Sequence, residues 1–455
     1  MEKSEKIIII GAVAAGSKCA FKLKREKPNY NITIYTQENL VSYSGCGLPY
    51  YIGGQIKSSE NLIIRRPEDY QKAGLNLHLE HKLLSINSIE KTIEILDIKS
   101  NRIFKDTYDK LVLATGARPF VPKADNLDLK NIFTLRSIYD GIKIREKMLN
   151  SKNAVIIGGG YIGIELLEAF IRNGLNVKII EFSNHIMTLF DSDMAERIEK
   201  HILETHPDKI EFVKNDFVTK FIGENGVLSA IQTNTGKIID TDLAIICVGV
   251  QPNTEFLSES EIELGIKNTI KVNKQMQTNI PDIYAIGDCA EKTNLITNKP
   301  CWVPLGSTAN KEGRCCALNI AGEKDEFAGV LGSAVTRFNG FTMSLTGLTE
   351  REAKQLGYSV ITETVTKKDK AGYMPEVKNI TLKVIVDRKT RKLLGAQAIG
   401  CGDADKRINT ITGAITGGKI IDDLVNLDMT YSPTYSPTID PLLTALMNIQ
   451  QKLNN

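Results

Sequence analysis

The chain has 455 residues and sets 57 Lys and Arg against 54 Asp and Glu, so it is long enough for two or three domains and too evenly charged, with no dense basic run, to favour nucleic acid or an anionic membrane surface. Its first apolar run is too short for a signal sequence and no later uncharged stretch could span a bilayer, which places the expected protein in the cytoplasm. Eight cysteines are scattered without a framework or a CxxC pair and read as reduced thiols.

The first predicted elements are a strand, a glycine-rich turn and a helix, "KIIIIGAVAAGSKCAFKLKR", followed by a second strand, "NITIYTQE". This is a βαβ unit of the kind that offers backbone N–H groups and a helix dipole to a pyrophosphate. Gly11 and Gly16 hold the outer glycine positions, Val13 stands at the middle one, and the second strand closes in Thr36 rather than an acid, with Glu38 just beyond it. Next comes "VSYSGCGLPYY", which isolates Cys46 between Gly45 and Gly47 ahead of a predicted helix start. A helix N-terminus favours a thiolate, so a reactive, ionised sulfur is expected there. "DKLVLATGARP" reads as a buried strand ending in the small-residue turn Ala114, Thr115, Gly116.

The βαβ pattern then returns as "NAVIIGGGYIGIELLEAFIRNG" and "LNVKIIEFS". Here Gly158, Gly160 and Gly163 complete a GxGxxG, with Tyr161 and Ile162 inside it, and Glu181 closes the next strand where a carboxylate can hold a ribose 2′-OH. Glu181 would repel a 2′-phosphate and no Arg follows it, so NADH is expected over NADPH. "ICVGVQPN", containing Gly249, and "TNIPDIYAIGDCAE", containing Asp288, follow in turn. The C-terminal part alternates strands such as "NITLKVIVD" with helical stretches, and carries "AGYMP" and "TYSPTYSP".

This order of motifs resembles the FAD-dependent pyridine nucleotide-disulfide oxidoreductases over essentially the whole chain. The resemblance implies an α/β fold of two Rossmann-like dinucleotide-binding domains, as in glutathione reductase, plus a C-terminal α+β dimerisation domain. Residues 1–115 and 255–330 would form a split FAD domain, 116–254 the NAD domain, and 331–455 the interface of a homodimer. By the same likeness FAD would meet Gly11, Ala14, Ala15, Gly16, Glu38, Ala114, Thr115, Gly116 and Asp288. NADH would meet Gly158, Gly160, Tyr161, Ile162, Gly163, Glu181 and Gly249.

The family's CxxxxC disulfide is missing, because Val41 and Tyr51 stand where the second cysteine would be. The C-terminal His and Glu of the two-cysteine enzymes are missing too, His206 being the last histidine. Cys46 must then form a mixed disulfide with substrate or cycle through a sulfenic acid. The chain resembles most the single-cysteine coenzyme A disulfide reductases, with Ser42 and Cys46 in their S-x-x-x-C spacing. In that group Lys22 and Arg25, on one face of the first helix, would meet the phosphates of CoA disulfide. Tyr431 and Tyr373 would reach into the partner's site as proton donors. Gly45, Asn310 and Ile439 depart from the group's Asn, His and basic residue, which leaves room for a smaller sulfur acceptor. The alternatives are an NADH-dependent polysulfide or persulfide reductase, an NADH oxidase or peroxidase, and a non-catalytic NADH or redox sensor. Ala14 stands where the oxidases and peroxidases carry a His.

Overall fold

The computed structural model describes residues 4–455; the three residues before them, with which the expected first unit begins, lie outside the described residues. Apolar runs such as Lys6–Ile10 and Asn153–Ile157 are buried almost throughout, as strands covered on both faces of a parallel sheet must be. They are the central strands of two five-stranded parallel sheets. The first runs Ile283–Ala285, Lys110–Leu113, Lys6–Ile10, Asn31–Thr36, Asn76–Leu79 from edge to edge. The second runs Ile210–Lys214, Asn176–Glu181, Asn153–Ile157, Leu243–Ile246, Ile132–Thr134. The chain leaves the first sheet after Lys110–Leu113, builds the second, and returns to add Ile283–Ala285. Its outward and return passes, Ala117–Pro119 and Val250–Pro252, pair antiparallel.

The two glycine turns have the same construction. Gly11 and Gly158 sit at φ +103° and +104°, and a Cβ on either would meet a carbonyl oxygen, that of Ala114 at 2.2 Å and of Cys247 at 2.6 Å. Each turn is pinned by its N–H donating to the neighbouring strand, Gly11 to Tyr35 O and Gly158 to Ile180 O. Gly16 and Gly163 lie beneath the turns, where a Cβ would meet the oxygens of Gly11 and Gly158 at 1.9 and 2.2 Å. The middle position differs, since a Cβ on Gly160 meets nothing within 4 Å. The fold therefore does not require glycine there, and Val13 fits the first unit without disturbing its backbone.

The third sheet is antiparallel, Ala334–Phe338, Phe341–Gly347, Leu393–Gly400, Asn379–Asp387, Val360–Lys368, with the helices Ala404–Thr416 and Pro441–Asn454 packed against it. One apolar core joins the units: Leu48 and Ile52 beyond Cys46, Leu166 and Phe170 of the helix Tyr161–Arg172, and Phe338 and Met343 of the third sheet belong to it. Among the described residues no helix is long and apolar enough to cross a membrane.

Candidate active site

The carboxyl ends of both parallel sheets open on one continuous cleft of about 2560 Å³. A pocket for a single small molecule holds roughly 300–1,000 Å³, so the cleft is sized for more than one ligand. Its walls include Gly11, Ala14, Ala15, Glu38 and the turn 114–116 from the first unit, and Gly158, Gly160, Tyr161, Ile162, Glu181 and Gly249 from the second. Asp288, Ser42 and Cys46 line it as well.

Each turn carries its acid differently. Glu181 accepts from the N–H groups of Gly159 and Ser183, both at 2.9 Å, and so lies across the glycine turn with its carboxylate fixed. Glu38 accepts from Tyr43 Oη at 2.7 Å, which anchors it beside Thr36. Beyond Glu181 the exposed rings of Phe182, directly after the strand Asn176–Glu181, and Phe217, directly before the strand Val218–Glu224, stand 6.0 Å apart on the cleft wall. No motif marks them in the sequence beyond the aromatic that follows the strand-closing acid in "EFS".

Cys46 lies in the turn Gly45–Gly47 and opens onto the cleft; among the described residues it is the one exposed cysteine. Two helices meet it. The helix that follows, Leu48–Ile52, is only five residues long, while the fifteen-residue helix Gly306–Ile320 begins so near that a Cβ on Gly306 would stand 4.0 Å from Cys46 Sγ. The expected thiolate is nevertheless not favoured by the protein alone. Loss of water around the sulfur pushes its pKa up, and the carboxylates of Glu165 and Asp288 push it further, against the opposing pull of Arg136.

Glu165 and Arg136 were not singled out in the sequence. Glu165, one turn after Tyr161 on the same helix, lines the cleft and is pushed up to about 7 by burial, although Thr336 Oγ1 donates to it at 3.2 Å. Its signal was an acid in the otherwise apolar "YIGIELL". Arg136 stands 3.9 Å from Asp288 Oδ2 and has no sequence signal beyond its charge. Tyr161 is enclosed with its hydroxyl unpartnered, and burial raises its pKa.

The two cations of the first helix part company. Arg25 lines the cleft together with Lys18 and Phe21, and Arg65 stacks over the Phe21 ring at 4.4 Å. Lys22 is not part of that wall; one turn on, Glu26 takes it into an i,i+4 ion pair. Tyr373 and Tyr431 are 76% and 52% exposed and lie outside the cleft of their own chain. Their loops are joined by Ala371 N–H donating to Pro433 O at 3.1 Å.

Comparison with known proteins bears on this arrangement. The family described as "Pyridine nucleotide-disulphide oxidoreductase" matches residues 5–311, and its dimerisation domain matches residues 333–442. An NAD(P)H sulfur oxidoreductase (CoA-dependent) of Pyrococcus furiosus is 34% identical over 95% of this chain and 96% of its own. A coenzyme A disulfide reductase of Staphylococcus epidermidis is 32% identical over 94% of this chain and 96% of its own. The crystal structure of reduced Bacillus anthracis CoADR-RHD superposes with a TM-score of 0.95 at 33% identity, covering 99% of this chain and 81% of that one.

Proposed function

This chain belongs to the pyridine nucleotide-disulphide oxidoreductases, and on that premise we propose that it reduces CoA disulfide, or a related low-molecular-weight disulfide, with NADH through Cys46 alone. Membership implies FAD and a nicotinamide dinucleotide as cofactors, and both turns fit such groups: each is stripped of side chain by a glycine at positive φ and faces the cleft. The relatives are enzymes over nearly the whole chain, which sets aside the non-catalytic sensor.

When bound by the first unit, FAD would supply two-electron transfer between the nicotinamide donor and sulfur. Glu181 orients the NADH ribose, its two backbone hydrogen bonds leaving the carboxylate no freedom to swing away. Arg136 offsets the charge of the Cys46 thiolate. That thiolate attacks one sulfur of the disulfide, a Cys46–S–S–R bond forms, the substrate S–S bond breaks, and the leaving thiolate takes a proton from Tyr431 of the partner subunit. Two electrons and a proton from one NADH then cleave the mixed disulfide, releasing the second thiol and restoring the Cys46 thiolate, and one proton from solvent restores the phenol of Tyr431. The sum is NADH, one proton and one disulfide giving NAD+ and two thiols.

The observation that carries this reading is the single exposed thiol, in the cleft between the two glycine turns and with no second exposed cysteine among the described residues. A second reading, polysulfide or persulfide as acceptor, is favoured by the pairing of Lys22 with Glu26, which leaves fewer cations for CoA phosphates. The test is anaerobic NADH oxidation with CoA disulfide, polysulfide or no acceptor, followed by air. Turnover on CoA disulfide supports the first reading and turnover on polysulfide alone the second. Turnover only after air returns would refute both.

A further inference from the structure

We propose that Lys292 and Glu312 act as a clamp on the Gly287–Asp288 turn and thereby set how tightly FAD is held, an inference that rests on the reading of the first unit as the FAD site. The side chains of the pair are 1% and 0% exposed, with Lys292 Nζ 3.2 Å from Glu312 Oε1. Between them they take both polar groups of one residue. Gly287 N–H donates to Glu312 Oε2 at 2.6 Å, and Lys292 Nζ donates to Gly287 O at 2.6 Å and to Ala290 O at 2.8 Å. Gly287 sits at φ +79° and its α-carbon abuts the first helix, since a Cβ there would meet Ala15 Cβ at 3.0 Å.

The next residue is Asp288, whose side chain lines the cleft. Its direction depends on the peptide before it, and that peptide is held by the ion pair. Glu312 stands on the helix Gly306–Ile320, which starts beside Cys46 Sγ, so the clamp also fixes this turn relative to the thiol.

Stability alone does not account for such a pair. Desolvating two charges offsets most of their attraction, and well-packed apolar side chains in their place are often as stable or more so. Apolar replacements would instead leave Gly287 N–H and the oxygens of Gly287 and Ala290 without these partners. Lys292 and Glu312 are positioning residues, acting on FAD through Asp288.

The chain supplies its own reporter. Trp302 is its single tryptophan, and the indole N–H donates to Asp288 O at 2.8 Å. The experiment compares wild-type holoenzyme with Lys292→Met, Glu312→Gln and the double variant Lys292→Met/Glu312→Leu. It measures the rate of FAD release on dilution, acrylamide quenching of Trp302, and the urea midpoint at saturating FAD.

All three variants are expected to release FAD about tenfold faster or more, the loss that goes with charge-assisted bonds to a positioned peptide. Trp302 is expected to become more quenchable in each. The double variant removes both buried charges but still leaves Gly287 N–H and the oxygens of Gly287 and Ala290 unpaired, so it is expected to release FAD as fast as the single variants, and it decides the matter should a single variant fail to fold. Release at the wild-type rate with unchanged Trp302 quenching overturns the clamp, as does a double variant that recovers stability and FAD retention together. Wild-type protein that carries no FAD would instead refute the FAD reading on which the clamp stands.

Discussion

Cys46 is poised between a helix N-terminus that favours its thiolate and two carboxylates that oppose it. Its folded pKa is raised, so its nucleophilicity increases as pH climbs through the thiol's own titration and is suppressed below it. Glu165, pushed up to about 7, is largely ionised over the range in which the thiol ionises and contributes to that suppression. Glu165→Gln should therefore move the pH profile of Cys46 alkylation towards lower pH and raise its rate at pH 8 about threefold. An unmoved profile would show that Glu165 does not act on the sulfur, leaving burial and Asp288 to raise its pKa. Cys46→Ser should retain bound FAD, seen in the flavin spectrum, and lose disulfide reduction by about a thousandfold or more, because a serine hydroxyl cannot exchange with a disulfide. Substantial turnover in that variant would remove Cys46 from the chemistry.

The glycine turns show which features of an element are legible in one sequence. Gly11 and Gly158 could be placed from the motif because their job is local: a positive φ with a carbonyl oxygen against the α-carbon. Gly11→Ala should cost about 1–2 kcal/mol for the backbone alone and more for the 2.2 Å approach to Ala114 O, read as a lowered denaturant midpoint. Val13→Gly should lower stability by about 1–2 kcal/mol, through unfolded-chain entropy and the loss of a partly buried side chain packed against the shared core. A fall of several kcal/mol would mean that the turn itself needs the valine. Helical spacing likewise put Lys22 and Arg25 on one face, yet could not show that Glu26 would capture Lys22 while Arg25 reached the cleft. Glu165, Arg136 and the Lys292–Glu312 pair were missed for a related reason. Their roles arise from contacts between segments far apart in sequence, and no period or spacing encodes them.

At the scale of the whole molecule, the third unit is joined to the second by buried polar contacts rather than a flexible linker. Lys383, on the third sheet, lies 3.3 Å from Asp191, 2.8 Å from Asp193 and 2.8 Å from Glu350, while Gln397 Nε2 donates to Asp191 at 2.7 Å. The tyrosine loops are thus carried on a firmly seated unit, and Tyr373 and Tyr431 stand exposed, outside their own chain's cleft. If these tyrosines serve catalysis, they do so in a second copy, with each site built from two chains. Tyr431→Phe and Cys46→Ser homodimers should then both be impaired, for different reasons. Unfolded together, refolded with FAD and allowed to pair at random, the two chains should recover about a quarter of wild-type activity, since half the dimers are mixed and each mixed dimer holds one site with both groups intact. Activity no higher than the average of the two parent variants would place Tyr431 outside the partner's chemistry and leave its loop a packing element of the interface.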